Sequence, residues 1–125
     1  MQEMPSLQEL KFERVLLVEP PRWKGYAMMR GDRCSRPAIY GGVPYPYWLG
    51  TTAGFLQDKG VEVHVLEANA LNSSWDKVEE TIQRTKPELV FMTGANCSID
   101  HDVKVAELAK KVNEKILTVL YEPTL

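Results

Sequence analysis

The sequence predicts an α/β domain built on a parallel β-sheet, and three observations support this prediction. Four short runs are rich in Val, Ile or Leu and mostly apolar, which is typical of strands buried on both faces. Segments with a helical spacing of apolar residues lie between these runs. Strand and helix therefore alternate three times, an order that suits parallel strands joined by right-handed crossovers, with helices on both faces. The predicted strands are residues 14–18, 61–67, 88–92 and 116–121.

The first two predicted helices have recognisable ends. The first ends at Lys59-Gly60, where a glycine is expected to cap the C-terminus. The second begins at a capping serine, Ser73 or Ser74, and ends before Lys86-Pro87. The apolar face of the first helix comprises Trp48, Leu49, Thr52, Ala53, Phe55 and Leu56, and that of the second comprises Trp75, Val78 and Ile82.

The third predicted helix carries its apolar side chains at the spacing i, i+3, i+4 and i+7. Asp100 and Asp102 lie near its start and two lysines lie near its end, an arrangement that the helix dipole favours. We therefore expect one continuous helix with both aspartates close to its N-terminus. The apolar positions are Val105, Leu108, Ala109 and Val112.

The overall composition is that of one globular domain. Of the 125 residues, 44% are hydrophobic and 26% charged, and the formal net charge of -2 gives no electrostatic reason to expect a nucleic-acid partner. The N-terminus lacks the layout of a signal peptide and no apolar run reaches membrane-spanning length, so we expect a cytoplasmic protein without a membrane partner. Cys34 and Cys97 have no metal-binding or disulfide spacing, which favours free thiols.

Residues 19–46 form a stretch without regular periodicity, far longer than the usual connection between a strand and a helix. Six of the eleven aromatic residues lie between Trp23 and Trp48. The local charge balance is +3, against -2 for the whole chain. Aromatic surface with scattered cations suits a large planar ligand that carries a phosphate, whereas a solvated surface loop accounts for the charge alone. The charged residues are Arg22, Lys24, Arg30, Arg33 and Arg36 against Glu19 and Asp32.

These elements match the flavodoxin-like (Rossmann-like) fold, a doubly wound parallel sheet with strand order 2-1-3-4. Common domains of this kind continue through another helix and edge strand, so we expect the domain to be truncated before them. The chain accordingly divides into an N-terminal extension at residues 1–13 and an incomplete α/β domain at residues 14–125.

The candidate binding site lies outside the carboxyl ends of the strands, where the strand order reverses. Loops after the first, third and fourth strands reach this edge. The small residues after the third strand allow close backbone approach and offer N–H donors to an anionic group, while Ser98 acting as a simple helix cap is the alternative. The candidate cofactor-binding residues are Pro20, Pro21, Arg22, Trp23, Tyr26, Thr93, Gly94, Ala95, Asn96, Cys97, Ser98, Tyr121 and Glu122.

The common phosphate-binding motifs are absent. Neither GxGxxG after the first strand nor the Walker A motif occurs. A phospho-acceptor receiver domain would need an aspartate at the end of the third strand, where Met92-Thr93-Gly94 stands. A flavodoxin-like nucleotide-binding domain, or a domain whose aromatic loop docks a protein, stays open as the alternative hypothesis.

Four segments taken together resemble the N-terminal cobalamin-binding domain of B12-dependent radical SAM proteins, a group that includes methyltransferases and the magnesium-protoporphyrin ester cyclase type. They are RVLLVEPP, GTTAGFLQDKGVEVHVLEANAL, KPELVFMTGANCSID and KILTVLYEPT, and the match covers residues 14–125. The resemblance implies that the cofactor is cobalamin. It also implies that the loop after the first strand faces the lower side of the corrin ring.

The resemblance has consequences for the ligands of cobalt and for partners. Other corrinoid domains carry DxHxxG, whose histidine binds cobalt, whereas EPPRWKG contains no histidine and is expected to supply no lower axial ligand. The family's pair of glycines after the fourth strand is replaced by Tyr121-Glu122. The iron–sulfur cluster and S-adenosylmethionine would belong to a radical SAM catalytic domain, in cis or in trans, because this chain lacks CxxxCxxC. Alone, the chain is expected to bind cofactor and to catalyse nothing.

The two histidines are more typical of structural positions than of metal ligands. His64 lies within the second strand, away from the carboxyl edge. His101 lies in the first turn of the third helix, where a solvated side chain is expected. We therefore predict no structural metal. The sequence does not indicate the oligomeric state or the substrate.

Overall fold

The computed structural model describes residues 11–30, 36–38 and 47–122. Most of the expected N-terminal extension lies outside these ranges. The strands are Arg14–Glu19 (β1), Met28–Met29 (β2), Arg36–Pro37 (β3), Glu62–Glu67 (β4), Leu89–Thr93 (β5) and Leu117–Tyr121 (β6). The helices are Tyr47–Asp58 (α1), Trp75–Thr85 (α2), Ile99–Asp102 (α3) and Lys104–Val112 (α4), and a turn of 3₁₀ helix at Asn96–Ser98 precedes α3. None of the helices in the described ranges combines the length and the apolarity needed to cross a lipid bilayer.

Four strands form one parallel sheet in the order β4-β1-β5-β6. When only these four strands are numbered along the chain, β1, β4, β5 and β6 are the first to the fourth, and their order in the sheet is 2-1-3-4. The predicted α/β class and strand order are therefore confirmed. Leu16 of β1 lies beside His64 of β4 on one side and beside Val90 of β5 on the other. The carboxyl ends of β1 and β5 are therefore neighbours at the point where the strand order reverses.

Each face of the sheet has its own apolar core, because alternate side chains of a strand point to opposite faces. Leu16 and Val18 of β1 pack with α2 and α4. Val15 and Leu17 pack on the other face with Leu49 of α1. These side chains are almost completely buried, and each such burial stabilises the fold by about 1.5–3 kcal/mol.

Helix α1 packs on the sheet through a narrow stripe. Leu49, Ala53 and Leu56 recur at i, i+4 and i+7 and contact the core on that face. Phe55 lies off this stripe and is 63% exposed. The prediction that Phe55 belongs to the apolar face is therefore wrong, because a helix of this length meets the sheet along one line of contact.

The end of α1 is a Schellman motif. The N–H of Val61 donates to the carbonyl of Leu56 at 3.1 Å, and the N–H of Gly60 donates to the carbonyl of Gln57 at 3.0 Å. Gly60 has φ of +83°, a left-handed conformation that glycine adopts without strain. The predicted glycine cap is confirmed.

Ser74 caps the N-terminus of α2, as predicted for one of the two serines. Its Oγ accepts the N–H of Lys77 at 3.2 Å. We expect Ser74→Ala to lower the free energy of unfolding by about 1 kcal/mol, because that N–H loses its acceptor. Urea denaturation measures the change. Ser73→Ala is the matched control, since the side chain of Ser73 does not cap α2, and equal losses in the two variants would contradict the assignment.

The third predicted helix is divided in the structure. A 3₁₀ turn leads into α3, and α3 meets α4 at Val103, so the prediction of one continuous helix is wrong. Asp102 is fully buried and ends α3. It accepts hydrogen bonds from the loop before α3 and from Arg30.

The stretch after β1 contains a tight turn that the sequence analysis did not identify. Trp23 and Tyr26 pair as an antiparallel bridge, and the N–H of Tyr26 donates to the carbonyl of Trp23 at 2.8 Å. Lys24 and Gly25 between them have φ of 51° and 81°, both positive as in a type I′ turn. Strands β2 and β3 then pair as a short antiparallel ladder. Three residues discussed above lie outside the described residues, namely Asp32, Arg33 and Cys34.

Candidate functional site

The parallel strands end in a row of polar and aromatic residues at the carboxyl edge of the sheet. In sheet order the last residues are Glu67, Glu19, Thr93 and Tyr121. Glu67 lies beside Glu19, and Thr93 lies beside Tyr121. Because neighbours in register point to the same face, these side chains lie on the face that α1 partly covers. The loops that follow them form the edge where open α/β sheets bind ligands.

Glu19 is a buried carboxyl group at the centre of this row. Its Oε2 accepts hydrogen bonds from Thr93 Oγ1 at 2.7 Å and from Trp48 Nε1 at 2.8 Å. Arg30 Nη1 lies 3.6 Å from the other oxygen. Burial raises the pKa of Glu19 to about 7, while Arg30 and the two hydrogen bonds act in the opposite direction. Burial also raises the pKa of the neighbouring Glu67. The edge therefore holds a carboxyl group that titrates near neutral pH.

Arg30 is the buried cation that faces Glu19. Its Nη1 donates to the carbonyl of Pro20 at 2.8 Å, and its Nη2 donates to the carbonyl of Pro21 at 2.9 Å. Asp102 accepts two further bonds from the same guanidinium, at 2.8 Å and 3.2 Å. The side chains of Arg30 and Asp102 are both 0% exposed. Arg30 was counted in the positive charge balance of this loop, and the structure shows that its charge is matched inside the protein.

Asp102 connects the loop after β5 to this ion pair. Its Oδ2 accepts the N–H of Ala95 at 2.9 Å and the hydroxyl of Ser98 at 2.7 Å. Ser98 is the N-cap residue of α3, as the alternative stated, but its side chain makes no capping bond and donates to Asp102 instead. A methyl group added at Gly94 would lie 2.9 Å from Ile99 Cδ1, which shows that this glycine permits close packing within the domain.

The loop after β4 is joined to the loop after β1 by a second set of polar contacts. Arg22 Nε donates to the carbonyl of Asn69 at 2.9 Å. The side chain of Asn69 exchanges hydrogen bonds of 2.7 Å and 2.8 Å with the backbone of Met28. Arg22 is thus a second cation whose bonds lie within the domain. Together with the contacts of Asp102, these bonds connect the loops after β1, β4 and β5.

The structure brings the predicted site residues to one edge but gives them different exposures. The buried ones are Pro20, Pro21, Thr93, Gly94, Ala95 and Ser98. Those of intermediate exposure are Arg22, Trp23 and Glu122. The exposed ones are Tyr26, Asn96, Cys97 and Tyr121. A ligand on this surface can therefore contact mainly the residues of intermediate exposure and the exposed residues.

The two histidines differ in how well they match expectation. His101 is half-buried, with Nε2 3.0 Å from the carbonyl of Pro21 and its ring edge-on to Trp75 at 5.0 Å. The prediction of a solvated His101 is wrong, since these contacts bury part of the ring and hold its Nε2 against the loop after β1. His64 lies on the edge strand β4 with Nε2 3.3 Å from Glu62, as expected for a structural position. Within residues 11–30, 36–38 and 47–122, no three His, Cys, Asp or Glu side chains cluster as a metal site requires.

Exposed apolar side chains are concentrated at the carboxyl edge. In the part of the chain that the structure describes, seven large hydrophobic residues are exposed, and four of these lie at this edge. Tyr26 lies in the turn after β1 and Leu71 in the turn after β4, while Tyr47 begins α1 and Tyr121 ends β6. Their exposures run from 41% to 76%. Apolar surface gathered in this way is typical of a binding surface.

Three residues that build this edge are not recognisable as site residues from the sequence. Arg30 and Asp102 were interpreted as a loop cation and a helix-dipole residue, and Trp48 as part of an apolar helix face. No motif connects them, since Arg30 and Asp102 stand 72 positions apart. One signal was available for Glu19, which directly follows the apolar run from Val15 to Val18, and the buried strand β1 extends to include it.

A cavity of about 780 Å³ lies at the opposite edge of the sheet. It is lined by the starts of β1 and β6 and by the C-terminal ends of α2 and α4, including Arg14, Ile82, Lys86 and Val112. Because it lies at the amino ends of the strands, it is separate from the loops described above.

Comparison with known proteins relates the chain to proteins that bind B12. Residues 38–120 match the family model described as B12 binding domain. The chain is 32% identical over 108 residues to the anaerobic magnesium-protoporphyrin IX monomethyl ester cyclase of Rubrivivax gelatinosus. That alignment covers 86% of this chain but only 18% of the relative, so the chain spans less than a fifth of the length of this curated relative. No solved structure gives a significant match.

Proposed function

The chain belongs to the family of B12-binding domains, and from this premise we propose that it binds cobalamin across the carboxyl edge of its sheet. The observation that carries the proposal is the exposed apolar surface at this edge, to which Tyr26, Leu71 and Tyr121 contribute. A corrin ring is broad, and its lower face calls for wide apolar contact in place of a phosphate cradle. Topology supports the same location, because the strand order reverses there.

The side chains at this edge fit a corrin better than a free phosphate. The loop after β1 presents the aromatic residues of the Trp23–Tyr26 turn and has no glycine-rich phosphate loop. Two of its cations, Arg22 and Arg30, are already bonded within the domain. Cobalamin, when bound, supplies a cobalt centre that can carry a methyl group or electrons. The chain supplies an apolar floor that holds and orients the ring.

We propose a division of roles among the predicted site residues. Trp23, Tyr26 and Tyr121 contact the ring and its side groups, and Asn96 and Cys97 offer polar groups beside it. The buried members support these contacts from beneath, and Glu122 stands where the nucleotide tail is expected. The loop after β1 supplies no histidine to cobalt. His101 is bonded to the carbonyl of Pro21, which occupies its Nε2.

We expect the chain to retain hydroxocobalamin in near-stoichiometric amount after desalting, measured by the visible absorbance of the corrinoid. Tyr26→Ala and Tyr121→Ala should each raise the Kd by about five- to tenfold, because each removes aromatic contact worth roughly 1–1.5 kcal/mol. The Kd is measured by titration at constant pH.

Phe55→Ala is the matched control for these variants. Phe55 is also an exposed aromatic residue, at 63%, but it lies roughly 12 Å along α1 from Tyr47 at the carboxyl edge. Its removal should leave the Kd unchanged. A chain that retains no corrinoid contradicts the proposal, and retention of FMN or ATP in its place would support the alternative nucleotide-binding hypothesis.

We further propose that residues 14–125 are the cofactor domain of a larger B12-dependent radical SAM protein, preceded by an extension at residues 1–13. The cyclase relative supports this, since the chain matches only 18% of its length. A catalytic domain, in cis or in trans, would hold the iron–sulfur cluster and S-adenosylmethionine for methyl transfer or cyclase-type chemistry. The exposed free thiol of Cys97 suits a reducing, cytoplasmic location. Reading the gene beyond the codon for Leu125 tests the proposal, because either that gene or a neighbouring gene should encode CxxxCxxC, and its absence from all of them would contradict the proposal.

A further inference from the structure

The loops after β1 and β5 are joined through a buried guanidinium. Arg30 donates to the carbonyls of Pro20 and Pro21 in the first loop, at 2.8 Å and 2.9 Å. Its remaining donors reach both carboxylate oxygens of Asp102, at 2.8 Å and 3.2 Å. Asp102 accepts the N–H of Ala95 in the second loop at 2.9 Å. A continuous set of hydrogen bonds therefore runs from one loop to the other.

The proline pair explains why a side-chain donor is needed in the first loop. Pro20 and Pro21 have no N–H, so the backbone at these positions can be held only through its carbonyls. Carbonyls require donors, and the guanidinium of Arg30 offers five N–H groups in a planar fork. A lysine ammonium directs three donors from one point and cannot span two carbonyls and two carboxylate oxygens in the same way.

The charge of Arg30 is balanced where it lies. The side chain is 0% exposed, with Asp102 Oδ1 at 2.8 Å and Glu19 Oε1 at 3.6 Å. A buried charge that loses its partner is strongly unfavourable. Neither loop can therefore move away from Arg30 without leaving charged or polar groups unmatched, and the two loops are held in a fixed relative position.

We propose that Arg30 is a positioning residue for cobalamin, which holds the loops after β1 and β5 in the arrangement that seats the corrin and thereby sets its affinity. This inference rests on the proposed function. Arg30 acts through the loops, because its own side chain is fully buried. A preorganised edge binds more tightly, since the free energy of ordering the loops is not subtracted from the free energy of binding.

The test compares the Kd for hydroxocobalamin with thermal stability in variants of the 125-residue chain. Arg30→Lys keeps a positive charge opposite Asp102 but loses the planar fork, and we expect its Kd to rise about tenfold. Arg30→Met removes both, and its Kd should rise further. Ile82→Ala is the matched control for lost stability, because Ile82 is fully buried in the core and lines the cavity at the amino edge, away from both loops.

The affinity and the Tm separate a positioning role from a merely structural one. If Arg30 only stabilises the fold, the Kd should follow the Tm, and Ile82→Ala should weaken binding as much as Arg30→Lys at an equal loss of Tm. That result would overturn the proposal. We expect instead that Ile82→Ala keeps the Kd of the unsubstituted chain, measured well below its Tm.

Hydrogen exchange at the amide of Ala95 gives a second readout that does not depend on the folding of Arg30→Met. The amide should exchange faster in Arg30→Lys and at an unchanged rate in Ile82→Ala. Failure of the unsubstituted chain to bind hydroxocobalamin would refute the proposed function itself. Normal binding by the unsubstituted chain together with equal binding by Arg30→Lys would refute only the positioning role.

Discussion

Asp102→Ala is expected to lower the free energy of unfolding by about 3–5 kcal/mol, the effect typical of removing one partner of a buried ion pair. Arg30 would keep its charge in a position where its side chain is 0% exposed. The other carboxylate near it, Glu19, lies farther away at 3.6 Å. The N–H of Ala95 and the hydroxyl of Ser98 would lose their acceptor as well. Urea denaturation at pH 8 measures the loss.

Asp100→Ala is the matched control, because Asp100 belongs to the same helix α3 but is exposed. Its free energy of unfolding should change by no more than about 0.5 kcal/mol. The double variant Arg30→Met/Asp102→Ala should be less destabilised than the sum of its single changes, because the buried cation leaves together with its partner. Similar small losses for the two aspartates would show that Asp102 does not hold a buried ion pair.

The free energy of unfolding is expected to fall by up to roughly 3 kcal/mol between pH 4.5 and pH 8 through the titration of Glu19. Burial raises its pKa from 4.5 in an unperturbed carboxyl to about 7 in the folded chain, and each pKa unit corresponds to about 1.4 kcal/mol. Between these two values the folded state binds more protons than the unfolded state. The contribution of Glu19 to stability is therefore fully present below pH 4.5, and this contribution is lost as the pH rises through about 7.

Glu19→Gln is the variant that isolates this effect, because glutamine keeps a carbonyl oxygen to accept from Thr93 and Trp48 but does not titrate. Across the same pH range, the free energy of unfolding of Glu19→Gln should vary by roughly 3 kcal/mol less than that of the unsubstituted chain. Urea denaturation at half-unit steps of pH measures both curves. Glu67, whose pKa burial also raises, contributes in the same direction in both proteins. Parallel curves would contradict a raised pKa for Glu19.

Strand positions and strand order were predictable because their signals are local. The predicted first strand, residues 14–18, is apolar from Val15 to Val18, and the observed β1 extends only one residue further, to Glu19. The glycine that ends α1 and the serine that begins α2 each bond to backbone within a few residues of themselves. Contacts of this range are encoded in neighbouring residue types. The alternation of strand and helix then indicates a parallel sheet, and the strand order follows from the flavodoxin-like fold that this alternation matches.

The polar framework of the candidate site was not predictable in the same way. Arg30 was one of five cations in an irregular loop, and its type alone could not show that it lies buried between Glu19 and Asp102. Phe55 has the side chain of a core residue, but the line along which α1 meets the sheet leaves it exposed. Such outcomes depend on where distant elements meet.

The sequence by itself determined the four strands of the parallel sheet, the end of α1, the start of α2 and the edge of the sheet to which the three loops are carried, because apolar periodicity and capping act over a few residues. Tertiary structure decided which residues at that edge are exposed to a ligand and which hold the loops from beneath. The physical reason is that burial and charge pairing are properties of groups brought together from positions as far apart as 72 residues, and no local pattern records that meeting.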